Sequence, residues 1–280
     1  ASDPDADRIG LVIRDNNGEY VLINGNQIVM IFLNYLMTRN TELGTLTGNE
    51  YIVKTIVTTE TIRTIAEAQH IKMYDCFTGF KWIANVMREN EGKARYLGGG
   101  EESYGFLAED FVRDKDSVSA ISLMAEIAAW AKDKGLNMTD MLIDIYMKYG
   151  FSREKGISLV RKGKSGAEEI IALMKQFREN PPKEIAGSPV VTVKDFQSLV
   201  ETNVATGETK KLDMPATSNV LQYYTADRTK VSVRPSGTEP KIKFYIEVHD
   251  TLASADEYKA TEARADEKIN RIAKEFGITK

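Results

Sequence analysis

Apolar residues in the first half of the chain recur at two spacings, one typical of buried strands and the other of helices. Short β-branched or continuous apolar runs predict strands, and longer segments with apolar residues three and four positions apart predict helices. Because these strands and helices alternate, we expect an α/β domain with a largely parallel sheet, whose ligands bind at the loops that leave the strands. The predicted strands lie at 9–15, 20–23, 51–59, 71–76 and 94–100, and the predicted helices at 27–40, 60–70, 79–90, 117–135 and 139–150.

The second half of the chain has a different pattern. A basic, glycine-bearing stretch at 150–166 leads into an amphipathic helix at 165–180, which ends at Pro181 and Pro182. The segments beyond it are rich in strand-forming residues and are followed by one charged helix, which predicts an α+β domain with an antiparallel sheet. The predicted strands lie at 190–196, 219–225, 230–236 and 241–250, and the predicted helix at 253–276.

The composition is ordinary for a globular protein, with 42% hydrophobic and 28% charged residues among 280. Its 37 Lys and Arg against 41 Asp and Glu give a net charge of -4, which offers no overall field for nucleic acid, so any anion site must be local. No apolar run reaches the roughly 18–20 residues of a membrane-spanning helix. The single cysteine, Cys76, excludes an internal disulfide and favours a cytoplasmic location, and the two histidines do not indicate a zinc site or a Ser-His-Asp triad.

The opening stretch ASDPDADRIG places Asp3, Asp5 and Asp7 at alternate positions, followed directly by Arg8. Alternate residues of an extended loop project to one side, so these carboxylates can converge on a hard cation such as Mg²⁺. An EF-hand begins with the same spacing, but it needs Gly at its sixth position and Glu at its twelfth, where this chain has Arg8 and Arg14. The remaining alternative is a solvated Asp-rich turn.

A second polar segment, GGGEESYGF, begins with glycines at 98–100 that end a predicted strand. Glu101, Glu102 and Ser103 follow them. Carboxylates accept hydrogen bonds from adjacent hydroxyl groups, which a sugar presents, so this loop is a candidate sugar site. The alternative is a plain glycine turn before the next helix.

A third segment, VSVRPSGTEPKIKFY, concentrates anion-binding groups. Arg234, Ser236, Thr238 and the amides around Gly237 can form a compact cup, and Lys243 follows on the next predicted strand. A guanidinium group binds phosphate with two hydrogen bonds, and hydroxyls and backbone N–H groups supply further donors. The segment is not a Walker A loop, because it lacks the G-x-x-x-x-G-K-[ST] spacing. A Pro-Gly turn in a hairpin is the alternative.

Together, these segments resemble the α-D-phosphohexomutases, the phosphoglucomutase/phosphomannomutase family, in their order and approximate separation. Three segments are similar to the phosphoglucomutase and phosphopentomutase branch of this family: EESYGF at 101–106, TGFK at 78–81 and VRDKD at 112–116. The family's metal loop usually reads Asp-Gly-Asp-Gly-Asp-Arg, so Pro4 and Ala6 depart from it. The resemblance covers nearly the whole chain.

Carried onto the matching positions, the resemblance implies that Asp3, Asp5 and Asp7 bind Mg²⁺. It also implies that Arg8 lies beside the reacting phosphate and that Lys115 is a second catalytic residue. The residues that it implies for substrate binding are Thr78, Lys81, Glu101, Ser103, Arg234, Ser236, Gly237, Thr238 and Lys243.

The reaction implied by the resemblance is reversible phosphoryl transfer between C1 and C6 of a hexose phosphate, from glucose 1-phosphate to glucose 6-phosphate. It proceeds through a phosphoserine, with glucose 1,6-bisphosphate as intermediate and activator. The family's nucleophilic serine lies in a Ser-His-Asn loop, and no Ser-His pair occurs in this sequence. We therefore expect the C-terminal part of a four-domain mutase, inactive alone: residues 1–16 as the tail of α/β domain 2, 17–150 as α/β domain 3 for sugar recognition, and 151–280 as α+β domain 4 for phosphate binding.

Other functions stay open on the sequence. They are a phosphopentomutase, a non-catalytic phosphosugar-binding module and a metal-dependent phosphatase. In each case the expected partner is a small-molecule sugar phosphate, with no nucleic acid and no membrane, and the chain is either a monomer or a dimer. We also expect Asp3, Asp5 and Asp7 to hold metal weakly without the phosphoserine, and Lys81 lies in a predicted helix that can point it to solvent.

Overall fold

The computed structural model describes residues 1–161, 163–237 and 239–278, and these residues form two units. Unit 1 comprises Ala1–Phe151 with Leu252–Asp256, and unit 2 comprises Ser152–Thr251 with Glu257–Lys280. No helix within the described ranges is both long and apolar enough to cross a lipid bilayer.

Unit 1 contains a small hairpin and a four-stranded sheet. The hairpin pairs β1 (Leu11–Arg14) with β2 (Tyr20–Ile23) in antiparallel register. The sheet has the order β4-β3-β5-β6, in which β3, β4 and β5 are parallel and β6 is antiparallel to β5. Its strands are β3 (Glu50–Thr55), β4 (Lys72–Cys76), β5 (Arg95–Gly100) and β6 (Phe106–Leu107). The helices of this unit are α1 (Gly25–Glu42), α2 (Thr61–Ala68), α3 (Phe80–Asn90), α4 (Ser117–Asp133) and α5 (Met138–Tyr149).

Helix α1 is buried over most of its length and packs against β5. It begins at a capping box, in which the Asn24 side chain accepts a hydrogen bond from the Gln27 N–H at 2.9 Å. Glycine is required on β5 for this packing, since a Cβ on Gly100 would lie 2.7 Å from Val29 Cγ2 and one on Gly98 would lie 3.1 Å from Leu33 Cδ2. Gly98 and Gly100 therefore let α1 lie close to β5, the strand that leads into the loop of residues 101–105, called the GEES loop below.

Unit 2 is built on a sheet of order β11-β10-β9-β12-β13-β14-β7, with β8 paired to β9. The registered pairs among β8 to β14 are antiparallel. Helix α6 packs against β13 and β14, and α7 packs against β14, over fully buried side chains such as Val233 and Phe244. The strands are β7 (Phe151–Val160), β8 (Glu184–Ile185), β9 (Ser188–Asp195), β10 (Val200–Asn203), β11 (Thr209–Lys211), β12 (Leu221–Thr225), β13 (Lys230–Pro235) and β14 (Lys241–Asp250), and the helices are α6 (Gly163–Glu179) and α7 (Tyr258–Glu275).

The α/β prediction for the first half and the α+β prediction for the second are confirmed. The sequence pattern missed β7, which was expected only as a basic, glycine-bearing stretch. This strand lies at the end of the sheet order, and most of its side chains after Ser152 are exposed or half-buried, so it lacks an apolar face to recognise. The short strands β6, β8, β10 and β11 were missed as well, because two to four residues carry no readable period.

Candidate functional site

Residues 3–8, called the acidic loop, form a tight turn at the start of unit 1. A bridge between Ser2 and Ile9 closes the loop, and the Asp3 N–H donates to the Arg8 carbonyl at 3.2 Å. Inside it, Asp3 Oδ1 accepts hydrogen bonds from the backbone N–H groups of Asp7 and Arg8, both at 3.1 Å. The Asp3 carboxylate therefore stabilises the turn itself.

Ala6 adopts the left-handed conformation, with φ of 56°. Glycine adopts this conformation without the clash of a Cβ, and the similar family has glycine at the matching position. The Ala6 carbonyl accepts the Ser117 N–H at 3.1 Å, so the loop docks on the first residue of α4. Asp116 caps the same helix by accepting from the Val118 and Ser119 N–H groups at 3.0 and 2.9 Å.

Lys115 joins the acidic loop to this helix start. Its Nζ lies 2.7 Å from Asp7 Oδ2 and 5.7 Å from the centre of the Phe80 ring. The hydrogen bond from Lys115 lowers the pKa of the Asp7 carboxyl. Burial alone would lower the pKa of Lys115, but Asp7 and Asp114 raise it overall, so both partners are charged at neutral pH.

Arg8 adds a second cation to the acidic loop. Its Nη1 lies 3.6 Å from Asp3 Oδ2 and its Nε 3.8 Å from Asp7 Oδ1. Asp5 is exposed. In the part of the chain that the structure describes, no three His, Cys, Asp or Glu side chains are gathered as a metal-ligand set. Because Ala6 has a left-handed φ, residues 3–7 are not uniformly extended, and binding of one cation by Asp3, Asp5 and Asp7 stays a prediction.

The donor chemistry of the loop nevertheless fits Mg²⁺. Carboxylate oxygens are the ligands that this ion prefers. Asp7 Oδ1 is buried and accepts no hydrogen bond from any described residue, and Arg8 Nε lies 3.8 Å from it. A buried oxygen without a donor is costly, and a cation would satisfy it.

The GEES loop at 101–105 lies beside these groups. Glu101 is 5% exposed, and its carboxylate accepts the Gly79 N–H at 2.6 Å through Oε1 and the Ser103 hydroxyl at 3.4 Å through Oε2. The Tyr104 carbonyl accepts the Ile9 N–H at 3.2 Å, which ties this loop to the acidic loop. Glu101 thereby links Ser103 to the segment that contains Thr78, directly before Gly79.

The side chain of Lys115 also passes along this loop. A Cβ on Gly105 would lie 2.7 Å from Lys115 Cδ and 3.6 Å from Glu101 Oε2, so glycine leaves room for the lysine beside the carboxylate. Unit 1 thus brings the predicted residues Asp7, Arg8, Lys115, Glu101 and Ser103 into one connected group. Lys81 does not join this group: it is exposed on α3, with Nζ 5.5 Å from the centre of the Trp82 ring.

Several residues that hold the GEES loop were not predicted from the sequence. Glu102 Oε2 accepts from the hydroxyls of Thr55 and Thr58 at 3.1 and 3.4 Å, and the Glu102 N–H donates to Thr58 Oγ1 at 3.2 Å. Gly25, the first residue of α1, packs so closely that a Cβ there would overlap the Glu102 carbonyl and lie 2.9 Å from the Tyr104 nitrogen. The available signal was the threonine-rich run after β3, at the strand end where ligands of such sheets bind.

In unit 2, the predicted anion cup lies at the turn between β13 and β14. Arg234 and Lys243 are direct cross-strand partners, and the Ser236 N–H donates to the Lys241 carbonyl at 2.8 Å. No described carboxylate forms an ion pair with Arg234 or Lys243. Like charges directly opposite one another destabilise a sheet, so an anion here would relieve their repulsion. Gly237 is exposed, and Thr238 lies outside the described residues.

Two family models match the sequence. The model described as "Phosphoglucomutase/phosphomannomutase, alpha/beta/alpha domain III" matches residues 24–149, and the one described as "Phosphoglucomutase/phosphomannomutase, C-terminal domain" matches residues 178–265. Among curated proteins, the chain is 36% identical over 245 residues to a phosphoglucomutase of Staphylococcus epidermidis, covering 88% of this chain and 44% of that protein. It is 34% identical over 249 residues to a phosphoglucomutase of Staphylococcus haemolyticus, covering 89% and 44%. The chain therefore spans less than half the length of these relatives.

Solved structures show the same fold. The open form of the exocytosis-sensitive phosphoprotein pp63/parafusin, a phosphoglucomutase from Paramecium, matches with a TM-score of 0.59 and 16% identity, covering 98% of this chain and 45% of that one. A phosphoglucomutase/phosphomannomutase family protein from Burkholderia thailandensis matches with a TM-score of 0.54 and 18% identity, covering 99% and 46%.

Proposed function

Because this chain belongs to the phosphoglucomutase/phosphomannomutase family, we propose that it supplies the sugar- and phosphate-recognition parts of a phosphohexomutase. The reaction is reversible phosphoryl transfer between C1 and C6 of a hexose phosphate, with glucose 1-phosphate and glucose 6-phosphate as the proposed pair. The observation that carries the proposal is the contact network in unit 1 that places Lys115 between Asp7 and the GEES loop. It puts charged groups suited to a phosphate beside acceptors suited to a sugar.

Within this proposal, Glu101 and Ser103 orient the sugar ring. The Glu101 carboxylate accepts hydrogen bonds from the Gly79 N–H and the Ser103 hydroxyl. Its oxygens have further lone pairs that can accept hydrogen bonds from sugar hydroxyls. Thr78 supplies a hydroxyl beside Gly79. Burial of Glu101 strengthens each of these hydrogen bonds, because water does not compete for them.

The positive charges stabilise the phosphate groups. Arg8 and Lys115 act on the phosphate that reacts, where they offset the negative charge of the transferring group. The cup in unit 2 binds the phosphate that does not react. Its proposed residues are Arg234, Ser236, Gly237, Thr238 and Lys243.

We assign Mg²⁺ to Asp3, Asp5 and Asp7, where it would neutralise charge on the phosphoryl group. The nucleophilic phosphoserine is assigned to polypeptide outside these 280 residues, since they contain no Ser-His pair, and glucose 1,6-bisphosphate is the proposed intermediate. In the same proposal, residues 1–16 close a preceding α/β domain, 17–150 recognise the sugar and 151–280 bind phosphate. The cytoplasmic location suggested by the single cysteine belongs to this proposal as well.

Binding of glucose 1-phosphate to the 280-residue chain tests the proposal by isothermal titration calorimetry. We expect glucose 1-phosphate to bind more tightly than inorganic phosphate and ribose 5-phosphate, and Glu101→Gln to reduce that preference about tenfold. Glu19→Gln, an exposed change in the β1–β2 turn, is the control and should leave binding unchanged. Equal affinity for glucose 1-phosphate and inorganic phosphate would overturn the proposal, and preference for ribose 5-phosphate would favour a phosphopentomutase.

A further inference from the structure

Lys54 is a fully buried lysine at the end of the central strand of unit 1, with 0% of its surface exposed. A buried ammonium group is stable only when it is paired and hydrogen-bonded. Lys54 Nζ lies 2.9 Å from Glu60 Oε1 and 2.9 Å from Asp75 Oδ1. It therefore joins the loop that follows β3 to the end of the neighbouring strand β4.

Arg63 completes a neutral cluster of two cations and two carboxylates. Its Nε lies 3.0 Å from Glu60 Oε2, and its Nη2 contacts Asp75 Oδ2. Burial alone would lower the pKa of Arg63, but Asp75 and Glu60 raise it overall. Each carboxylate of the cluster thus touches both cations, which fixes the positions of Glu60 and Asp75 relative to Lys54.

From this cluster, hydrogen bonds run to the GEES loop. Lys54 Nζ also donates to the carbonyls of Thr55 and Thr58, both at 3.4 Å. The Thr58 hydroxyl in turn accepts the Glu102 N–H at 3.2 Å. Glu102 directly follows Glu101, whose carboxylate accepts the Gly79 N–H at 2.6 Å.

A second connection starts at the other side of the cluster. Asp75 lies near the end of β4, and the same chain segment continues to Thr78 and Gly79. Lys54 thus contacts the loop after β3 and the end of β4 directly, and reaches the loop after β5 through Thr58. These are the loops at the strand ends where ligands of parallel sheets bind.

We propose that Lys54 is a positioning residue for sugar recognition, which holds the loops that carry Glu101 and Thr78 in fixed positions relative to each other. This inference rests on the proposed function of Glu101 and Ser103. It differs from a purely stabilising role, because a lysine that only strengthened β3 would leave the local order of the GEES loop unchanged. No contact between Lys54 and substrate is part of the proposal.

Amide hydrogen exchange of the 280-residue chain tests the proposal without using substrate. In Lys54→Met, we expect the amides of Gly79, Glu102 and Tyr104 to exchange about tenfold faster than in the wild-type chain, because local opening becomes easier. Lys230→Met is the matched control: Lys230 is 1% exposed and lies 2.8 Å from Glu247 Oε2, but it belongs to unit 2. The control should leave those three amides unchanged. In Lys54→Met itself, the amide of Ile127 in α4 should exchange as in the wild-type chain, because faster exchange there as well would mean a general loss of stability of unit 1 and would overturn the positioning role.

A second variant covers the case in which Lys54→Met fails to fold, as judged by circular dichroism. Asp75→Asn keeps the shape of the side chain and removes one charge of the cluster, so it should accelerate Gly79 exchange about threefold. Unchanged exchange at Gly79 and Glu102 in a folded variant overturns the positioning role. Failure of the wild-type chain to bind glucose 1-phosphate overturns the proposed function instead, and the exchange measurement does not depend on that result.

Discussion

Lys115 Nζ lies 2.7 Å from Asp7 Oδ2, so a cation of the chain itself contacts a carboxylate proposed to bind metal. Lys115 and Mg²⁺ should therefore compete for Asp7. A loop that already holds a positive charge attracts a second one less strongly. The ammonium group also offsets part of the repulsion among the carboxylates of residues 3–7.

Replacing Lys115 by methionine should tighten Mg²⁺ binding about tenfold at low ionic strength, because one repelling charge leaves the loop. Isothermal titration calorimetry with MgCl₂ measures this change. Lys134→Met is a suitable control, since Lys134 pairs with Glu42 at 2.8 Å at the far end of α4 from Lys115. Equal Mg²⁺ affinity in the Lys115→Met and wild-type chains would show that the ion pair does not compete with metal.

Gly25→Ala should disrupt the GEES loop. A Cβ at this position overlaps the Glu102 backbone carbonyl, which can move only if the whole loop shifts. We expect at least a tenfold loss of glucose 1-phosphate affinity and a lower melting temperature, measured by calorimetry and circular dichroism. Gly10→Ala should change neither quantity, because nothing lies within 4 Å of a Cβ at Gly10.

Arg234→Gln should separate stability from anion binding in unit 2. Removing one of two opposed cations should stabilise the chain by about 0.5 kcal/mol at low salt, as measured by urea unfolding. The same variant should lose most of the stabilisation that added inorganic phosphate gives the wild-type chain. Lys211→Gln, an exposed change on β11, should retain it. Phosphate stabilisation that survives in Arg234→Gln would place the anion site elsewhere.

Asp227 should make unit 2 sensitive to acid. Burial alone would raise the pKa of this carboxyl, but hydrogen bonds from Lys268, Thr225 and Thr229 lower it overall, well below the usual 3.8. The group therefore binds its proton more weakly in the folded state. Its stabilising contribution is complete above the unfolded value and is lost as the pH falls below 3.8 toward the folded pKa.

Urea midpoints between about pH 2 and pH 7 test this expectation. The wild-type chain should lose stability toward acid more steeply than Asp227→Asn. At neutral pH, the asparagine variant should be the less stable of the two, because Lys268 loses its charged partner at 2.6 Å. Parallel curves for the two proteins would mean that Asp227 carries no acid-sensitive stability.

The sequence pattern predicted most of the regular elements, because buried strands and amphipathic helices leave a clear period. It missed β7, whose position at the end of the sheet order removes the need for an apolar face. It also expected helix α1 to begin at 27, whereas the capping box of Asn24 starts the helix at Gly25. Polar capping residues carry no hydrophobic period, so such a start is easily placed late.

The candidate site was only partly predictable. Residue types and spacing made Asp7 and Glu101 candidates, and Lys115 was predicted only through the family resemblance of the VRDKD segment. They did not identify Lys54, because a lysine within a β-branched run is expected to point to solvent, and only the structure shows that this one is buried. The fit of Asp3, Asp5 and Asp7 around metal depends on loop dihedrals, which spacing alone does not determine.

The contacts of unit 1 also suggest an order of folding. Lys54, Glu60, Arg63 and Asp75 come from one continuous β-α-β segment, so their cluster can form after the closure of short loops. Asp7 and Lys115 are far apart along the chain, and their contact must wait until most of the sheet is in place. During refolding, the loops after β3 and β4 should thus become ordered first, and the loop of residues 3–8 should dock last.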